Sequence, residues 1–363
     1  MSTGNQVEKP RFFIDLLNYQ YEIGNISNMS INDDGGVMNP QVLGFNPSRK
    51  FAQELETIAY YQHFYINLKN PISIPPNTDM FLAILGHDIA SSDYRMKFRF
   101  EMTNQDTYTE IVNASVSPND ANIRAEYDGW TLVKFTPNQT DNINYFDFIA
   151  FTNSSQPPVQ LKIGGLAMGF IYEPEFHADL KLNQSVLMDG VKNKQTKGGH
   201  TYSIINYTKT PNWWTGSAWE LTDPAAVTPP VAFSNSRIGR RTWDISFSQL
   251  SDRFYTSGVP NGVFPANNMV NRNLADVANG NYSSGEDYDS ETSMFNYDIN
   301  TDISLYSTVY HHTLGGTLPF MFSPSADNSP QNFAICRFSK PGFKVTQSSY
   351  KRFTTKMSIQ ESW

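Results

Sequence analysis

Arg237, Arg240 and Arg241 flank Gly239 in the run RIGRRTWDISFS of an otherwise acidic chain. Clustered guanidinium groups bind phosphates, carboxylates or nucleic acid, because each presents a planar fork of donors. A phosphate site pairs such residues with a glycine-rich loop that opens a helix. Here the following residues alternate as a strand, with Trp243, Ile245 and Phe247 on one face and Thr242, Asp244, Ser246 and Ser248 on the other. Three readings stay open: a solvated strand end, a contact with carboxylates of a neighbouring subunit, and a nucleic-acid contact.

Other reactive residue types point to little chemistry. Glu286, Asp287, Asp289 and Glu291 are hard oxygen ligands of the kind calcium takes. Their spacing lacks the glycine turn and terminal bidentate glutamate of an EF-hand, so a solvated loop is the simpler reading. His311 and His312 are adjacent; in a strand they face opposite ways, and in a helix they sit roughly 100° apart. Neither arrangement chelates, which favours a structural or surface role. Cys336 is the sole cysteine, which excludes an internal disulfide. It lies in the alternating apolar run NFAICRFS and reads as a buried structural residue. No P-loop, GxGxxG, HExxH, CxxC or GxSxG motif occurs. The chain is read as a non-enzyme, and no catalytic residue, metal or cofactor is assigned. The glycines of KIGGLAMG lie in an apolar strand and suggest close sheet packing. Trp130 at a strand start, and Trp213, Trp214 and Trp219 in the loop PNWWTGSAWEL, suit either sugar stacking or interface anchoring.

The elements that must position these residues are strands. The chain has 363 residues, of which only 17% are charged while 14% are aromatic, a balance that suits sheets with long polar loops. YRMKFRFEMT alternates cleanly, with Met96, Phe98, Phe100 and Met102 on one face. YYQHFYINL, DMFLAILGHD, GWTLVKFTP, YFDFIAFTN and VQLKIGGLAMGFIYE follow the same habit between turn signals such as SSQPP and IPPNTD. This predicts an N-terminal arm and a jelly-roll-like β-sandwich over 1–176, in which residues 11–24 read as a short helix ended by Gly24 that docks as the arm or joins the first sheet. Residues 177–363 predict a second, mostly antiparallel and split-barrel-like β domain, with a polar insertion at about 251–302. Its one helix falls in DISLYSTVYHHTL, with Asp302 as the cap. At the C-terminus, Met357, Ile359, Glu361 and Trp363 share a strand face. The fold class is therefore all-β.

The formal net charge of −8 argues against nucleic acid as the partner of the whole surface. The charge is uneven: residues 181–241 hold eight Lys or Arg against three Asp or Glu. The first residues lack a signal-peptide pattern and no apolar run approaches the ~20 residues that span a bilayer. The expectation is a soluble protein not exported through the Sec route.

The order of motifs KNKQTKGGHTYS, RIGRRTWDISFSQLSDRFY, HTLGGTLPFMFSPSADNSPQNFAICRF and FKVTQSSYKRFTTKMSIQESW resembles that of virion proteins of tailed bacteriophages, notably environmental and marine ones. The resemblance covers most of the chain and is most distinct over about 190–363. The two-domain plan is also similar to distal-tail and baseplate-hub proteins, with the order of the domains reversed. It implies a non-enzymatic structural subunit in the virion, made in the host cytoplasm, that forms a ring in the tail or baseplate. The partners implied are copies of itself and other virion proteins, with Arg237, Arg240, Arg241, Trp213 and Trp214 at interfaces. A host-surface glycan contacted by Trp130, or a capsid decoration role, is the alternative.

Overall fold

The structure is a computed structural model. It describes residues 9–31, 36–45, 53–54, 61–72, 74, 78–89, 94–102, 105–110, 129–136, 143–152, 162–174, 177–179, 183–187, 191–205, 240–251, 304–324, 333–349 and 352–362. In chain order these form β1 (Arg11–Asp15), helix α1 (Leu16–Glu22), β2 (Ile26–Ile31), β3 (Gly36–Val37), a 3-10 turn (Pro40–Leu43), β4 (Gln53–Glu54), β5 (Tyr61–Ile72) and β6 (Met80–His87). Then come β7 (Tyr94–Met102), β8 (Gln105–Glu110), β9 (Gly129–Phe135), β10 (Ile143–Thr152), β11 (Lys162–Ile163) and β12 (Gly165–Tyr172). The remainder comprises β13 (Asn183–Leu187), β14 (Val191–Gln195), β15 (Thr201–Ile205), β16 (Arg240–Ser251), a π-helix (Leu305–His311), β17 (Phe320–Ser323), β18 (Ala334–Phe338), β19 (Val345–Ser349) and β20 (Arg352–Glu361). The expected all-β fold with antiparallel sheets is what the described residues form.

A ten-stranded sheet runs in the order β13-β16-β20-β18-β17-β1-β12-β6-β9, with β19 on β20. It draws strands from both sides of residue 176. The seam is β1, which pairs with β12 on one side and β17 on the other. All five residues of β1 are buried. A second sheet of six strands runs β3-β2-β5-β10-β7-β8.

Strand alternation sorts the side chains of the large sheet onto two faces. On one face, Leu82, Ile84, Met168 and Phe170 meet Phe64, Ile66, Phe98, Phe146 and Phe148 of the six-stranded sheet, making a sandwich core. The same face continues past β1 into a second cluster. There Trp243, Ile245, Phe247, Phe320, Cys336, Met357 and Ile359 pack against Leu305, Val309 and Tyr310 of the π-helix. The opposite face buries Phe13, Phe81, Ala83, Met321 and Ile335. The alternations expected for Met96 with Phe98, for Trp243, Ile245 and Phe247, and for Met357, Ile359 and Glu361 all lead to buried side chains.

Two local expectations need correction. Residues 11–24 are not one helix: the first five form β1 and only Leu16–Glu22 is helical. The reason is burial on both faces, which makes a strand read as a continuous apolar run, as helices in a core also do. Asp15 marks the change, capping α1 by accepting from the backbone N–H groups of Leu17 and Asn18. The helix in DISLYSTVYHHTL exists, but its cap is Ser304, which accepts from Ser307 N. Asp302 lies outside the described residues. The turn is wound wide, with His312 N donating to Ser307 O and Gly315 N to Tyr310 O.

Glycine packing in KIGGLAMG is as expected at Gly169. A Cβ there would stand 1.9 Å from the carbonyl oxygen of Ile14 and 2.6 Å from Leu16 N. The absence of a side chain lets β12 lie against the point where β1 turns into α1.

Candidate functional site

The arginine run becomes the outer end of β16. Thr242 pairs with Gln360 of β20, so Arg241 meets Glu361 one step further out. The Glu361 carboxylate is fully buried and accepts at three points. Its Oε2 takes the Arg241 backbone N–H at 2.7 Å; Oε1 takes Arg241 Nε at 2.9 Å and Nη2 at 2.6 Å. Nη2 also donates to the Phe333 carbonyl at 3.3 Å. The guanidinium carbon lies 5.1 Å from the centre of the Trp243 ring. An arginine fork on a buried carboxylate suits geometric locking, since both partners have committed their hydrogen-bonding groups. This pair clamps the C-terminal strand to β16 and fixes the register. The carboxylate that Arg241 binds thus lies within its own chain.

Arg240 lies on the same strand end, opposite Leu187 of β13. Arg237, Trp213, Trp214, Trp219 and the acidic residues Glu286, Asp287, Asp289 and Glu291 lie outside the described residues. Trp130 lies on β9 with its backbone paired to that of Leu85; its side chain lies outside the described part. Cys336 is buried, as the alternation of its strand implied.

The two histidines hydrogen-bond to different partners. His311 Nε2 shares a 2.8 Å hydrogen bond with the hydroxyl of Tyr19 on α1. His312 Nδ1 donates to the Ser307 carbonyl at 2.6 Å, which fixes its tautomer. The His312 ring packs edge-on against Tyr19 at 4.8 Å and Phe170 at 5.3 Å. Burial holds the His311 imidazole below its ordinary pKa. This cluster ties the π-helix, α1 and β12 together at the seam. Among the described residues no three His, Cys, Asp or Glu side chains gather as a metal site.

Asp15 lies at the same seam. Its Oδ1 accepts from Leu17, Asn18 and, across the sheet, Met168. Burial outweighs these three donors and pushes its carboxyl up to about 8. The acid is therefore held largely neutral at neutral pH.

Sequence reasoning missed one constellation altogether. On the six-stranded sheet, His63 Nδ1 lies 3.1 Å and 3.0 Å from the two carboxylate oxygens of Asp147. The Tyr65 ring stacks on His63 with centroids 5.4 Å apart, and Tyr145 meets Tyr65 edge-on. Register explains the meeting: Ile149 is opposite His63 and Asp147 opposite Tyr65, so His63 and Asp147 are diagonal neighbours. The available signal was the polar phase of YYQHFYINL and YFDFIAFTN, which says that these residues share a face but not which strands pair.

No family model matches the chain, and no curated protein matches it. Among solved structures, CBM32-1 from a family 31 glycoside hydrolase of Clostridium perfringens is similar over 40% of this chain and 96% of its own length. The sequence identity is 15% and the TM-score 0.21. So loose a superposition says nothing of function.

Proposed function

We propose that the chain is a non-enzymatic structural subunit of a tailed-bacteriophage virion, a ring-forming component of the tail or baseplate. The observation that carries the reading is the ordered set of motifs from KNKQTKGGHTYS to MSIQESW. Polar residues within those motifs have structural uses here. Arg241 and the glutamate of MSIQESW clamp two strands together, and HHTL closes the π-helix onto α1. That is the use an assembly subunit makes of such residues: they stiffen a scaffold whose edges and loops meet neighbours. On this reading the partners are further copies of the chain and other virion proteins, and the location is the virion.

The deciding experiment is mass spectrometry of purified particles joined to a cryo-electron microscopy map. The expected outcome is peptides of this chain at a fixed copy number and a ring in the tail region. Particles lacking the chain would sink the proposal. A ring or cap on the capsid shell would replace it with a decoration role.

A further inference from the structure

Among the described residues, the ribbon β14–β15 joins neither large sheet. Its strands pair, among the described residues, with each other alone, as a two-stranded sheet. Among the described side chains of 183–187 and 191–203, none belongs to any of the three apolar clusters. All residues of 191–203 are exposed, on both faces of the ribbon. Exposure extends to large apolar groups: Tyr202 is 60% exposed and Val191 39%. Before it in sequence, β13 ends the large sheet among the described residues, with all five residues exposed and Val186 and Leu187 open to solvent. A lone two-stranded ribbon is marginal in water, since neither face buries apolar surface. Docking against a partner would bury the exposed Tyr202 ring, which shares a face with Lys192 and Lys194.

Charge indicates what fits it. Register puts Tyr202 opposite Lys194, with Lys192 two residues along the same face. Lys197 lies in the turn, which closes through Gly199 at φ +85°. The segment 191–205 holds three lysines and no acid, while the chain carries −8, so the remainder carries −11. We infer that the β14–β15 ribbon is a docking arm that lies against an acidic surface of a second copy of this chain. Lys192 and Lys194 meet carboxylates of that copy, and Tyr202 supplies the apolar anchor. This names the self-contact of the assembly proposed above and rests on that reading.

The test uses the full-length chain. Sedimentation and light scattering across concentration should show self-association that weakens on raising salt from about 0.1 M to 0.5 M, where screening shortens to a few ångströms. Lys192→Glu with Lys194→Glu should weaken it at least tenfold, and Tyr202→Ala should weaken it without changing the salt dependence. Circular dichroism should stay that of the wild type, because these side chains support no core. Carbodiimide cross-linking of mixed isotope-labelled and unlabelled copies should join ribbon lysines to carboxylates of the other isotope. A wild-type chain that remains monomeric, variants that associate as wild type, or cross-links confined within one copy would each overturn the inference. So would tight binding of a labelled oligonucleotide that Lys192→Glu abolishes, since the acidic partner would then be nucleic acid. Failure of the two proposals is distinguishable. Ribbon-dependent oligomers from a chain absent from particles defeat the virion reading alone; a chain present in particles but indifferent to ribbon substitutions defeats the arm alone.

Discussion

Arg241 and Glu361 face each other at the ends of β16 and β20, joined by a backbone and a guanidinium contact to one buried carboxylate. The C-terminal strand is therefore held by charge as well as by the apolar phase of Met357 and Ile359. Breaking a buried pair by deleting one partner leaves a charge with no compensation, at a cost of about 3–5 kcal/mol. Arg241→Met should lower stability by that order in urea unfolding. Arg241→Met with Glu361→Leu should recover most of the loss. A single Arg241→Met change costing less than ~1 kcal/mol would show that the pair does not hold the strand. An Arg241→Glu change would read folding rather than assembly, so Arg240 is the better position for testing an interface role at this edge.

Asp15 gives a pH signature of unusual sign. Its pKa is raised from 3.8 to about 8 by burial, so the folded state holds a proton that the unfolded state has already released between these values. Its contribution is fully present below about pH 4 and is lost as pH rises toward 8, at no more than roughly 1.4 kcal/mol per pH unit. Asp15→Asn keeps an acceptor for Leu17, Asn18 and Met168 but cannot ionise. The variant should show a flatter dependence of the urea midpoint between pH 5 and pH 8 than the wild type. Parallel profiles would mean that Asp15 is not protonated in the fold.

Gly169 permits a close backbone approach at the seam. Gly169→Ala would set a methyl group 1.9 Å from the Ile14 carbonyl, with backbone on both sides and no flexible side chain to yield. The expected loss is about 3 kcal/mol or more. Thermal melting of the variant against Gly198→Ala, where a Cβ meets nothing within 4 Å, provides the comparison, and a melting temperature equal to wild type would contradict the packing.

The Tyr19–His311 bond couples α1 to the π-helix. Removing the hydroxyl with Tyr19→Phe should cost about 1 kcal/mol. Burial lowers the His311 pKa, so the fold favours neutral imidazole. That stabilisation is present above about pH 6.5 and is lost as pH falls through the lowered value. Hydrogen exchange of the 305–315 amides should therefore quicken, after correction for intrinsic rates, between pH 7 and pH 5. His311→Gln should remove that change, and equal protection at both pH values in the wild type would contradict it.

Much of the scaffold was legible locally. Alternation alone placed Trp243, Ile245 and Phe247 in a core, buried Cys336, put Glu361 on the inner face of its strand and gave the all-β class. A period of two is a property of one strand and needs no partner to be read. Short segments buried on both faces were the exception: Arg11–Asp15 carries no alternation, and its strand character was lost beside the helix that follows it.

Pairing was decided elsewhere. That β1 lies between β12 and β17, that Arg241 answers to Glu361 across 120 residues of sequence, and that His63 meets Asp147 are facts of register. Each strand offers its backbone donors and acceptors to any neighbour of suitable phase, so many pairings satisfy the same hydrophobic pattern. Only the joint packing of three apolar clusters selects among them. The sequence by itself determined which side chains point inward; the tertiary structure decided which of the inward charges neutralise one another, and left the lysine ribbon facing out.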